Sequence, residues 1–417
     1  MDPVPAPQIG GNQRGKSNEM IVDQMKVAAQ ALWLTAVSAD ERIRGRDPVT
    51  RADQVPAAVE QLTAEWLTAV LTDGTPGATV NAFELGEGSA GTSTRRAITV
   101  HWNQAGVEAG LPRDVYSKST PSLLNRLLVG VTGAAGAEAL FYGKIRSHLD
   151  IGAPAGYHGA WDPRTCRSMV LTEDIAATRG ATFADATQLK VTRDAAESMI
   201  AELARVHGTM WEDARLAGEW KLMRSDDWQR MFNARIGFDR GALVGMRMLS
   251  DLIPAELHAR QSEIRSGLMR SLEYSVSGPL TLLHQDVHPN NWFTLPDGSL
   301  HLYDWQGIGT GGWALDLSYA LSAGLDVEDR RDWERDLIGL YVDQLSLNGG
   351  RPPSVDEAFL AYRQQMFRGF IYWTYTFLVG RVSKLQPDAH VRQVVQRTAQ
   401  AMVDLESLDS LHRPPRW

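Results

Sequence analysis

His284-Gln285-Asp286-Val287-His288-Pro289-Asn290-Asn291 puts a carboxylate and a carboxamide on one short stretch, and Leu302-Tyr303-Asp304-Trp305 places a second carboxylate at the end of an apolar run. These residue types in this order suit phosphoryl transfer. There, one Asp accepts the proton of an attacking hydroxyl, while an Asn and a second Asp hold the metal ions that bridge the nucleotide phosphates. Those places fall to Asp286, Asn291 and Asp304. The spacing has a mechanical reason, because a loop of this length can aim a carboxylate outward while its far end turns an amide back toward the metal.

The elements around these residues must deliver the second acid to the first. Asn291 to Leu295 reads as a strand, Pro296-Asp297-Gly298-Ser299 as a turn in which Gly298 is free to take positive φ, and Leu300 to Asp304 as the return strand. Such a hairpin brings Asp304 back beside Asn291.

Phosphoryl transfer also needs a cover for the phosphates, a cation to pair with them and an acid to hold that cation. Gly86-Glu87-Gly88-Ser89-Ala90-Gly91 fits G-x-G-x-x-G between a strand-like run, Thr79 to Leu85, and a second one, Thr94 to Trp102. A dinucleotide-binding fingerprint would instead open a helix after the last glycine, so the context favours a phosphate-covering loop formed by Gly86, Gly88, Ser89 and Gly91. A plain glycine-rich hairpin is the alternative. Lys118 is the one lysine between Lys26 and Lys144, and Glu138, in a run of helical composition, is the one glutamate between Lys118 and Thr172. They are read as the phosphate-pairing cation and its acid, against the default of two solvated surface charges.

With these motifs in hand, the chain resembles the aminoglycoside phosphotransferase and choline kinase group, and most of all its ecdysteroid-kinase-like branch, from about Leu62 to Leu405. The resemblance also takes in Phe141-Tyr142, Leu171 to Ile175, Leu203 to His207 and Asp316 to Leu321. It implies an α+β, protein-kinase-like two-lobed fold, with an antiparallel sheet in a small lobe and a large lobe that is mostly helical. It further implies Asp286 as catalytic base, Asn291 and Asp304 as Mg²⁺ ligands, Lys118 and Glu138 as the phosphate-anchoring pair, and Glu173, Asp174 and Ile175 as the hinge beside the adenine of ATP. Two departures stand out. Gln285 occupies a position where the family usually has Gly, which suggests a different backbone geometry before the base, and Ser117 replaces the apolar residue that commonly precedes the lysine. His288 is read as shaping the loop and Asp316 as tying it down from a helix start.

Composition sets the outer bounds. A 417-residue chain with 43% hydrophobic residues is long enough for two lobes sharing a cleft, and a single cysteine, Cys166, excludes an internal disulfide and a cysteine-built zinc site. A net charge of −8 with no long basic tract argues against nucleic acid as a partner. No apolar run is long enough to span a bilayer, so membrane insertion is not expected and a cytoplasmic location is. Oligomeric state is not legible. The domain reading is a disordered leader over 1–18, a helical extension over 19–60, a small nucleotide-binding lobe over 61–175 and a large lobe over 176–417. The leader contains a decoy: Gly10 to Ser17 satisfies G-x-x-x-x-G-K-S, but the proline-rich segment before it cannot supply the strand a phosphate loop needs. Single helices are expected over Met20 to Val37, Trp228 to Leu249, Pro254 to Leu272 and Val355 to Gly380. The aromatic run Met366 to Phe377 reads as core or as one wall of a pocket for an apolar alcohol.

The expected activity is an ATP- and Mg²⁺-dependent small-molecule kinase acting on a hydroxyl of a metabolite or a lipid- or steroid-like alcohol. One alternative is an aminoglycoside O-phosphotransferase. Another, of a different class, is a non-catalytic kinase-fold nucleotide-binding scaffold, which usually lacks the base, a metal ligand or the lysine. A nicotinamide oxidoreductase fails if a strand follows Gly91.

Overall fold

The computed structural model describes residues 11–91, 93–183, 190–381 and 386–415. Residues rich in β-branched and aromatic side chains form five antiparallel strands, β1 (Val80–Ala90), β2 (Thr94–Trp102), β3 (Asp114–Ser119), β4 (Gly156–Asp162) and β5 (Arg167–Glu173), in the order β1-β2-β3-β5-β4. Alternation along β3 buries Val115, Ser117 and Ser119 on one face and leaves Tyr116 and Lys118 on the other. Ser117 fits the inward face because its hydroxyl donates to the Arg96 carbonyl at 2.9 Å, so the departure from an apolar residue does not break the strand. The sheet rests on its own core, which includes Trp66, Leu67, Ile98, Val115 and Leu171.

Beyond β5 the chain is mostly helical, giving a two-lobed α+β fold in which each lobe has its own core. The helix Ala314–Gly324 is buried along its whole length, as expected of a helix apolar nearly all round, and the other large-lobe helices gather about it. Three expected single helices are each two. Gly237 takes φ 63° and divides Ser225–Ile236 from Phe238–Met248, Arg260 separates Ala255–Ala259 from Gln261–Ser275, and Gln365 and Met366 separate Val355–Gln364 from Phe367–Gly380. Hydrophobic periodicity runs through such breaks, which explains why it fails to mark them. Among the described residues no helix is long and apolar enough to cross a membrane.

The first helix spans Gly11–Arg44 and so begins inside the segment read as leader; residues 1–10 lie outside the described residues. Gly11 to Ser17 of the phosphate-loop look-alike are helical, not a loop after a strand. The helix is anchored at its end by Glu41, which pairs with Arg126 at 2.7 Å and Arg167 at 2.9 Å.

Candidate active site

Strand pairing places the first part of the site. In the β2–β3 register Lys118 sits opposite Arg95, and in the β1–β2 register Ser89 also sits opposite Arg95. The glycine-rich stretch is the end of β1, followed by strand β2, so the dinucleotide reading fails. Gly88 is there for close approach: a Cβ on it would stand 2.6 Å from the Arg95 carbonyl oxygen.

The Lys118 ammonium lies 2.7 Å from Glu138 and 2.6 Å from Asp304, joining the sheet, the Ala134–Leu140 helix and the segment after the 292–302 hairpin. The sequence pairing of Lys118 with Glu138 is therefore present. Arg95 was missed: its guanidinium donates to the other Asp304 oxygen at 3.0 Å. Only the strand register reveals it, since Arg95 and Arg96 look alike in sequence. Burial opposes ionisation of Asp304, but Lys118 and Arg95 outweigh it and hold its carboxyl down at about 2. Burial and the Asp304 charge push Glu138 up, against the pull of Lys118.

Asp304 arrives as the spacing predicts. Strands β6 (Trp292–Thr294) and β7 (Leu300–Leu302) pair antiparallel, Gly298 takes φ 86° in the turn, and the Tyr303 amide donates to the Asn291 carbonyl at 3.0 Å. The Asn291 amide nitrogen donates to the Asp286 carbonyl at 2.7 Å and to its carboxylate at 3.2 Å. Asp286 also lies 3.4 Å from the Tyr319 hydroxyl and 3.6 Å from His288. Its side chain keeps 26% of its exposure, and burial, aided by the Asp304 charge, pushes its carboxyl up to about 6. His288 is buried and held down at about 3 by that burial, hence neutral; its Nδ1 accepts from the Asn290 amide at 3.2 Å.

The loop is tied from below. Asp316, in the first turn of its helix, accepts from the amides of His284 at 2.6 Å and Gln285 at 2.9 Å. Gln285 takes a φ of 66°, the left-handed conformation that glycine favours. A side-chain bond from Gln285 to the Gly307 carbonyl, 2.9 Å, helps to hold it.

A cavity of about 510 Å³ between the lobes is lined by Gly88, Ser89, Lys118, Glu138 and Asp304, with Glu173, Asp174 and Ile175 among its further walls. Gly86 and Gly91 do not line it; the Gly86 carbonyl accepts from Arg96 and the Gly91 carbonyl from Asn125. The Glu173 carboxylate is committed to Arg179, Thr178 and the Ala155 amide, and the Asp174 carboxylate caps the Ile175–Arg179 helix. Ile175 adds an apolar side chain to this part of the wall.

Residues 138–345 match the sequence model of the phosphotransferase enzyme family. No curated protein matches the chain. Among solved structures, a Ralstonia eutropha protein described as an aminoglycoside phosphotransferase shares 12% identity over 82% of this chain and 96% of its own, with a TM-score of 0.47. A choline kinase of Streptococcus pneumoniae shares 15% over 78% and 94%, with a TM-score of 0.42. An ethanolamine kinase of Plasmodium vivax shares 11% over 86% and 92%, with a TM-score of 0.43.

Proposed function

We propose, from the premise that this chain belongs through residues 138–345 to the phosphotransferase enzyme family, that it transfers the γ-phosphate of ATP to a hydroxyl of a small metabolite or a lipid- or steroid-like alcohol. The observation that carries this reading is the meeting of Lys118, Glu138 and Asp304 at one wall of the interlobe cavity, with Asp286 and Asn291 joined by hydrogen bonds on the loop beside it. Lys118 and Arg95 offer the positive charge that nucleotide phosphates need, and Gly88 and Ser89 offer a close backbone cover.

The oxygen donors fit Mg²⁺. Asp304 is ionised, and Asn291 has its nitrogen committed to Asp286, which leaves its carboxamide oxygen as the donor. Among the described residues no group of three or more His, Cys, Asp or Glu side chains could hold a metal, and Mg²⁺ suits such a lean set because it takes only one or two carboxylates beside phosphates and water. Bound there, the ion would supply charge neutralisation along the phosphates.

In the transfer, the acceptor oxygen forms a bond to the γ-phosphorus, the bond to the β–γ bridging oxygen breaks, ADP leaves and the acceptor proton passes to the Asp286 carboxylate. Tyr319 and Asn291 orient that carboxylate through its two oxygens. Incubation with MgATP and a pool of hydroxyl compounds, read by mass spectrometry, tests the reading: a product heavier by one phosphoryl group is expected. Nucleotide binding without any such product would overturn it in favour of a scaffold.

A further inference from the structure

Three arginines are almost fully buried: Arg126 is 0% exposed, Arg330 1% and Arg368 2%. Arg126 gives both terminal nitrogens to Glu41 at 2.7 Å, and Arg330 pairs with Glu334 at 2.7 Å and with Asp404. Arg368 differs. Among the described residues no ion pair includes it, and its Nε and Nη1 have no hydrogen-bond acceptor. Its guanidinium is held over aromatic faces, 4.0 Å from the centroid of Tyr372 and 4.7 Å from that of Trp228. Ring faces contribute about 0.5–2 kcal/mol, whereas taking an ion out of water costs several kcal/mol. A cation buried at that deficit lacks a directly paired counter-charge among the described residues.

The place of Arg368 says where that charge comes from. It lies on the Phe367–Gly380 helix, whose Trp373 donates to the Tyr319 hydroxyl at 2.7 Å, and that hydroxyl is the one beside the Asp286 carboxylate. Arg368 and Asp286 thus lie within electrostatic reach of each other, beyond ion-pair distance. Tyr372 and Trp228 are half-buried, and the Tyr372 hydroxyl is a second buried polar atom with no partner. Trp228 stacks on Phe232 at 3.6 Å and Phe238 packs on Tyr372 at 4.8 Å, extending the aromatic wall.

We propose that Arg368 is a specificity-determining residue that pairs with an anionic group, carboxylate or phosphate, on the acceptor, so that the alcohol phosphorylated here is an acid whose body lies against Trp228 and Tyr372. This rests on the kinase reading of Asp286 and deepens it. Such a site disfavours polycationic acceptors, because a buried guanidinium repels an ammonium where no water screens it.

The test uses a matched acid, ester and amine: 3-phenyllactate, its methyl ester and phenylalaninol, titrated calorimetrically into the full chain and into its Arg368→Met and Arg368→Lys variants. The acid is expected to bind about 10- to 100-fold tighter than the other two, the size of a charge-assisted hydrogen bond. That preference should vanish in Arg368→Met and survive in part in Arg368→Lys, which also covers the case that the Met variant fails to fold. Equal binding of the three probes, no binding of the acid, or an acid preference that persists without the guanidinium would overturn the proposal. Mass spectrometry with MgATP separates the two readings. Phosphorylation of the ester or amine but not the acid leaves the kinase standing and removes the anion site, while acid binding through Arg368 without transfer to any probe upholds the anion site and counts against the kinase.

Discussion

Phe141 lies face to face with Trp305, their ring centroids 4.0 Å apart and their planes 5° from parallel. Phe141 follows the helix that carries Glu138, and Trp305 follows Asp304, so this stack fixes the distance between the two acids that share Lys118. The His284 ring packs edge-on against Trp305, with centroids 4.6 Å apart, and so connects the joint to the start of the Asp286 loop.

Phe141→Leu should therefore do more than loosen the core. Loss of the stack and of buried volume is expected to cost about 1–2 kcal/mol in urea unfolding, and MgATP affinity should fall with it. Lowered stability with unchanged nucleotide affinity would reduce the joint to packing.

Asp286→Asn removes a proton acceptor while keeping its shape. Turnover should drop by about 10²–10⁴-fold with nucleotide affinity retained. Near wild-type phosphorylation of an acceptor would exclude Asp286 as the base.

Arg95→Gln tests the residue that the strand register adds. If it pairs with nucleotide phosphates, its loss should weaken MgATP binding by about 10- to 100-fold, the span of a charge-assisted hydrogen bond. Direct titration decides, and an unchanged affinity would confine Arg95 to holding Asp304.

Gln285→Gly should be close to neutral for stability. Glycine relieves about 1–2 kcal/mol of left-handed backbone strain and gives up about 1 kcal/mol for the bond to Gly307. A loss well beyond that in thermal unfolding would mean the side chain is the main support of the loop.

Glu41 should make stability depend on acidity. Burial opposes its ionisation, but Arg126 and Arg167 prevail and hold its carboxyl at about 2, below its ordinary 4.5. A depressed carboxyl stabilises the fold above the unfolded value and loses that contribution as pH falls through the folded one. Wild type should thus exceed Glu41→Gln by about 3 kcal/mol at neutral pH, with the gap closing between pH 4.5 and about 2. A gap that ignores pH across this window would refute the ion pairs.

Local physics made a good part of the molecule legible. The hairpin that returns Asp304 beside Asn291 follows from strand propensity and a turn glycine, both written within a dozen or so consecutive residues, and the single Lys118 and Glu138 in their windows left few other candidates for the pair. The same locality set the errors. Periodicity continued through Gly237 and Gln365.

What the sequence by itself determined was the set of groups and the elements that carry them: the acids, the amide, the lysine, the glycine-rich strand end and the helical large lobe. Tertiary structure alone decided which of the many arginines matter. Arg95 reaches Asp304 only through the β2–β3 register and the closing of one lobe on the other, and Arg368 is set apart only because the fold lays it against rings with no acid paired to it among the described residues. The reason is physical: propensity and turn chemistry act between neighbours in the chain, while the pairing or isolation of a buried charge depends on residues brought together from far along it.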